Sequence, residues 1–210
     1  MPFARLDRFI LTVDRALRTV TAQAHSARPY PAQLCAADQL NDAQQRHSAA
    51  LMRINHVGEI CAQALYDAQS AFSHTPQVAQ QLQHSCREEE DHLAWTAERL
   101  KELNSHTSFM NPLWYAGAYA CGVIAARCGD AASLGFVVET ERQVEAHLAG
   151  HLHDLPPADL RSRAIVEQMR LDEVAHGAAA AALGASSMPT AVRLAMQAMS
   201  KVMTGTAYYI

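Results

Sequence analysis

Apolar residues along this chain recur every three or four positions almost throughout, and strand-like alternation of any length is missing. Near the start, Phe3, Leu6, Phe9, Ile10, Val13, Leu17 and Val20 stand at helical spacing, which predicts an amphipathic helix within residues 1–25. Such a helix packs on the rest of the domain or lies on a membrane surface. The next stretch, residues 26–47, is rich in Pro, Ala and polar residues and reads as a linker. From about Ser48 long helices take over. A helical hairpin over about 48–103 breaks at "SHTPQ", and a second over about 130–183 breaks at "DLPPADL". Between them a short apolar helix spans about 112–127. A Met-rich amphipathic helix closes the chain at about 189–207.

No residue from Asn104 to Ala126 carries a formal charge, but only the part after Pro112 is apolar throughout. That part is shorter than the roughly 20 residues a spanning helix needs. It reads as a helix that is buried or set into one leaflet. The N-terminus lacks the uninterrupted apolar run of a secretion signal. The predicted fold is all-α, with 48–210 as one domain.

Composition narrows the function. The 210 residues carry a net charge of -4 with no basic stripe, which excludes nucleic acid as a partner. Five scattered cysteines form no CxxC pair, so neither a disulfide framework nor a thiolate metal site is indicated, and a reducing compartment follows. No GxGxxG or Walker-type phosphate loop occurs.

The two hairpins repeat one another chemically. The first holds Glu59 and then Glu89 with His92; the second holds Glu141 and then Glu173 with His176. Glu and His at i and i+3 share a helix face, so both can touch one ion. Alone, Glu-x-x-His is weak, because 11 Glu and 11 His in one chain produce such pairs by chance. The spacing adds more. The midpoint of 59 and 89 is position 74, in the first turn, and that of 141 and 173 is 157, in the second. In an antiparallel hairpin, residues equidistant from the turn lie level, here roughly 22 Å along the helix. Pairing the hairpins would gather four Glu and two His at one height.

Helix faces agree for three of these positions. Glu89 lies among Val78, Leu82, Cys86, Leu93, Leu100 and Leu103, with Glu88, Glu90 and Asp91 pointing elsewhere. Glu141 lies among Leu134, Val137, Val138, Val144, Leu148 and Leu152, and Glu173 near Val166, Met169, Gly177 and Ala180. Glu145 also projects inward and rivals Glu141; the midpoint favours Glu141. Glu59 differs. Its face carries Ser48, Met52, Asn55, His56, Gln63 and Tyr66, whereas the apolar stripe of Ile54, Cys61, Leu65, Ala68 and Phe72 lies opposite and needs a cover, an outer helix or lipid. Four carboxylates and two imidazoles make a hard, oxygen-rich set. It suits two iron or manganese ions and not a structural zinc.

With "RINHVGEICA", "EEEDHL", "NPLWYAGAYACG", "ETERQVEAHL" and "RLDEVAHG" in order, the chain from about Leu51 onward resembles the demethoxyubiquinone hydroxylases of ubiquinone biosynthesis, membrane-associated members of the ferritin-like di-iron group. The resemblance implies a ferritin-like four-helix bundle with a di-metal centre and additional outer or membrane-facing helices. It implies two iron ions per chain held by Glu59, Glu89, His92, Glu141, Glu173 and His176, with Glu89 and Glu173 bridging. Tyr66, His56 and His147 are the candidates to touch those ligands from outside. Some members carry Asp at the position of Asn55, and His-His-Tyr at Ala146, His147 and Leu148.

The implied reaction is hydroxylation of a lipid-tailed demethoxyubiquinol, with O2 and reducing equivalents drawn from NADH. The implied setting is a peripheral membrane protein on the cytoplasmic side of the cell membrane. Other ubiquinone-biosynthesis proteins and a second copy of the chain are admitted as partners. A ferritin-like iron-binding or ferroxidase protein without quinone chemistry is the rival reading, and a bundle whose metals are only structural is another.

Overall fold

The computed structural model describes residues 5–21 and 24–210. Among the described residues there are seven helices and no strand: α1 (Arg5–Thr21), α2 (Asp42–Phe72), α3 (Pro76–Glu102), α4 (Asn111–Arg127), α5 (Asp130–Asp154), α6 (Leu160–Ala182) and α7 (Thr190–Ala207). The hairpins α2/α3 and α5/α6 pair through α2 against α5 and α3 against α6, a ferritin-like four-helix bundle.

Their turns point to opposite ends. At one end the Asp130 carboxylate, in the first turn of α5, accepts hydrogen bonds from the His74 and Thr75 N–H groups at 2.8 and 2.9 Å. This pins the α2/α3 turn to the second hairpin. At the other end Leu100 and Leu103 share a core with Leu148, Leu155, Ile165 and Met169.

The apolar back of α2 is covered by protein. Ile54, Val57 and Cys61 pack with Trp114 of α4 and Met203, Ala207 and Tyr208 at the end of the chain. Lower down α4 comes closer still: a Cβ on Gly122 would lie 2.8 Å from the Ala68 Cβ and 2.9 Å from the Leu65 carbonyl oxygen. Only glycine permits this approach, and it seals the stripe behind Glu59. No helix among the described residues is long and apolar enough to cross a membrane.

Two segments depart from the sequence reading. The stretch expected as a linker, 26–47, is neither free nor wholly irregular. Tyr30, Ala32, Cys35 and Leu40 pack onto the core shared by the two hairpins. Helix α2 begins at Asp42 rather than near Ser48, because Asn41 and Gln44 form a reciprocal capping box. The N-terminal helix uses only part of its stripe for packing. Ala16 and Val20 meet the bundle, while Leu6, Ile10, Val13 and Leu17 are exposed. Phe3 and the side chain of Phe9 lie outside the described residues.

Candidate metal centre

The six residues singled out by spacing converge. Glu59, Glu89, His92 and Glu173 form one group whose ligand atoms all lie within 4.8 Å of one another, and Glu89, Glu141, Glu173 and His176 form a second on the same measure. Glu89 and Glu173 belong to both, as two ions sharing a pair of carboxylates would require. All six side chains are buried. Glu145 is not among them; it pairs with Arg170 at 3.0 Å, half-buried at the surface.

The imidazoles face inward by the same atom. His92 Nδ1 lies 2.9 Å from Glu89 Oε2 and 3.6 Å from both Glu59 Oε2 and Glu173 Oε1. His176 Nδ1 lies 3.0 Å from Glu89 Oε1 and 3.4 Å from Glu173 Oε2. Their outer Nε2 atoms are held crosswise. His92 Nε2 meets Asp172 Oδ2 of the other hairpin at 2.8 Å, and His176 Nε2 meets Glu88 Oε2 of the first at 2.9 Å. An Nε2–H donated outward leaves the Nδ1 lone pair for an ion. Glu88 does lie off the Glu89 face, as expected, but its contact with His176 was not foreseen, nor was Asp172. The signal was present: both motifs carry an acidic residue directly before the Glu, Glu88–Glu89 and Asp172–Glu173.

Of the outer candidates, Tyr66 donates its hydroxyl to Glu141 Oε1. His56 is buried, with no hydrogen-bond partner on Nδ1. His147 belongs to neither ligand group; its ring lies against His151, centroids 4.0 Å apart and tilted by 58°. Asn55, where some relatives are acidic, reaches the Met52 sulfur at 3.8 Å.

Electrostatics favour a cation here. Burial, then the neighbouring Glu89 charge, pushes Glu59 well above the usual carboxylate range; burial, then Glu173 and Glu89, does the same to Glu141. Burial opposes ionisation of Glu89 too, but the two imidazoles pull it well down. Burial works against charged histidines, yet the carboxylates lift His92 well above its ordinary value and His176 to about 12. Without metal, protons play the part of cations. Glu89 Oε1, Glu173 Oε2 and His176 Nδ1 are buried and crowd together, the two oxygens 3.0 and 3.4 Å from the nitrogen, without an aligned hydrogen bond among them. Atoms so placed, in a carboxylate–imidazole set, fit hard metal cations.

A pH prediction follows. At neutral pH the metal-free site holds a proton on His176, and one on His92, more tightly than the unfolded chain, whose His titrates near 6.5. The native state binds more protons than the unfolded one, so metal-free stability should fall from pH 7 to 9. Metal uptake displaces those protons, so the stabilisation due to metal should grow over the same window. Denaturant titrations with and without Fe(II) check both trends. Parallel curves, and no proton release on loading, would remove the protons from these groups.

A helical bundle with two Glu-x-x-His helices and two further Glu helices defines the ferritin-like carboxylate proteins. Within that class, residues 46–207 match the family described as "Ubiquinone biosynthesis protein COQ7", and the chain belongs to it. Relatives named 3-demethoxyubiquinol 3-hydroxylase agree along nearly the whole length. The protein of Herminiimonas arsenicoxydans is 61% identical over 204 residues, covering 97% of each chain. That of Janthinobacterium sp. (strain Marseille) is 61% identical over 97% of this chain and 98% of its own. That of Burkholderia pseudomallei (strain 668) is 55% identical over 205 residues, 97% of this chain and 99% of its own.

Proposed function

We propose that this chain is a 3-demethoxyubiquinol 3-hydroxylase using two iron ions per chain. The observation that carries the proposal is the pair of buried ligand groups sharing Glu89 and Glu173, in a chain whose relatives bear that name. The reading assigns Glu59 and His92 to one ion and Glu141 and His176 to the other, with Glu89 and Glu173 between them.

Iron would supply the activation of O2 and the electron transfer that ring hydroxylation needs. The chain's own residues do the rest. The cluster's burial keeps water from the reacting atoms. Asp172 and Glu88 hold the imidazoles by their outer nitrogens. The Tyr66 hydroxyl occupies Glu141 Oε1 and so limits how that carboxylate can turn. NADH is the reductant to try first.

The outer helices support a membrane contact. Helices α1, α4 and α7 all pack on α2, and each exposes apolar side chains: Leu6, Ile10, Val13 and Leu17; Leu113 and Ile124; Leu194, Met199 and Val202. Isolated exposed apolar residues are ordinary, but rows on three helices offer an interface for a lipid surface. In this reading the protein is peripheral, resting on the cytoplasmic side of the cell membrane, where a lipid-tailed quinol is reached. A Leu194→Glu, Val202→Glu double variant should float with anionic vesicles at least about tenfold less than the parent; equal flotation would retire α7 as a membrane contact.

The central test is direct. Purified protein is assayed for iron, then given NADH or dithionite, O2 and a short-tailed demethoxyquinol. About two irons per chain and a hydroxylated ring are expected. Hundreds of irons per assembly would mean storage, and two irons with no quinol turnover would defeat the hydroxylase assignment.

A further inference from the structure

Residues 24–41 lie ahead of the segment matched by the family, yet besides the core packing of Tyr30, Ala32, Cys35 and Leu40 they are tied into the bundle by charged side chains at two places. At one, Asp38 accepts from Arg99 of α3 and from the Arg161 N–H of α6. At the other, Ser26 Oγ accepts from Trp95 Nε1 at 3.0 Å, and the Ala27 N–H donates to Asp91 Oδ1 at 2.6 Å. Arg28 then spans both helices. Its Nε lies 2.6 Å from Asp91 Oδ2 on α3 and its Nη1 2.8 Å from Asp172 Oδ2 on α6, with the guanidinium 4.7 Å above the Trp95 ring.

Asp172 Oδ2 is the same oxygen that receives His92 Nε2, and its Oδ1 is taken by Gln168 Nε2 at 2.9 Å. Asp172 is thus fixed from three sides. Its counterpart in the other half is not: Glu88, which holds His176, is about one-third exposed, and its only further ion-pair partner among the described residues is His84, at 3.9 Å. The two histidines are therefore supported unequally: Arg28 and Gln168 hold Asp172, and of these Arg28 alone comes from outside the two hairpins.

We propose that Arg28 is a positioning residue for the Glu59/His92 half of the centre, acting through Asp172, and that residues 24–41 form a strap completing a site the family-matched segment leaves less braced. The proposal rests on the di-metal reading above. A forked guanidinium holding Asp91 and Asp172 keeps the Asp172 carboxylate aimed at His92 Nε2, and so keeps the His92 Nδ1 lone pair aimed at an ion. Without it Asp172 keeps Gln168 and His92 but loses the fork that fixes the direction of its Oδ2.

The test is Co(II) titration of the metal-free full-length protein, followed by the cobalt absorption bands with a competing chelator, alongside thermal unfolding. The parent should bind two ions. Arg28→Ala should bind one with unchanged affinity and the other about tenfold more weakly, with altered absorption bands for that ion. Arg28→Lys should recover part of the loss, since it restores charge but not the fork. Asp38→Ala, which cuts the strap's other tie, should lower thermal stability and leave both affinities alone. Unchanged affinities in Arg28→Ala, equal weakening of both ions, or an Asp38→Ala that copies the Arg28→Ala pattern would each overturn the positioning role. A parent that takes up no pair of ions would overturn the di-metal reading and this inference together, whereas a parent with two ions and an unaffected Arg28→Ala overturns the inference alone.

Discussion

Glu173→Ala should abolish ring hydroxylation and leave the helix content nearly unchanged. Glu173 is 2% exposed and belongs to both ligand groups, so its loss removes a donor from each group at once. Loss of an outer hydrogen-bond partner of a ligand weakens metal binding by about 10–100-fold; loss of a shared ligand should exceed about 100-fold at both positions. The fold should tolerate it. The metal-free site crowds four carboxylates, and burial together with mutual repulsion already drives Glu59 and Glu141 toward their neutral forms. Removing one carboxylate relieves that crowding, and alanine favours helix. Iron analysis, single-turnover assay and circular dichroism decide the matter. Two tightly bound irons, or surviving turnover, would remove Glu173 from the ligand set.

Arg99→Met should be the most damaging substitution for stability, costing about 3–5 kcal/mol. Arg99 is 2% exposed and meets Asp38 on the strap, Asp159 Oδ1 at 2.8 Å, Glu102 Oε2 at 2.8 Å and Ser162 Oγ at 2.8 Å. Asp159 is fully buried and also caps α6 through the Ser162 N–H. Methionine fills the volume but leaves Asp38 and Asp159 without their cation, whereas Glu102 keeps Arg161; stranded buried charge is costly. Thermal unfolding of the metal-free protein should shift down by roughly 10 °C. Adding Asp38→Asn and Asp159→Asn should recover a good part of the loss, because the penalty lies in the unpaired charges. A shift of only a degree or two would show these carboxylates to be solvated on opening.

The architecture was legible because its periodicities are long. Hairpin turns near 74 and 157, and the level of Glu59 with Glu89 and of Glu141 with Glu173, follow from chain spacing, and the six residues do converge. What escaped was short-range or cross-chain. The capping box at Asn41 and Gln44 was readable in principle, but it sits in a stretch dominated by Pro and Ala that suggests a linker. The packing of Tyr30, Ala32 and Cys35 has no periodic signature, because an extended strap buries single residues at irregular intervals. Glu88 and Asp172 were hidden for another reason. Each lies off the inward face of its own helix and reaches a histidine only because the opposite hairpin stands beside it. A helical-face argument treats one helix at a time and misses such contacts. For α1, spacing identified an apolar stripe but not which part of it meets protein.

The crosswise hold on the two histidines also bears on how such a chain could arise. Each hairpin carries three of the six inward groups, yet the acid that orients its histidine belongs to the other hairpin. A polypeptide of half this length could assemble the same centre only as a symmetric pair, each copy lending the other its acid. In a single chain the two halves need not stay alike, and the guanidinium resting on Asp172 but not on Glu88, supplied from outside both hairpins, makes them unequal.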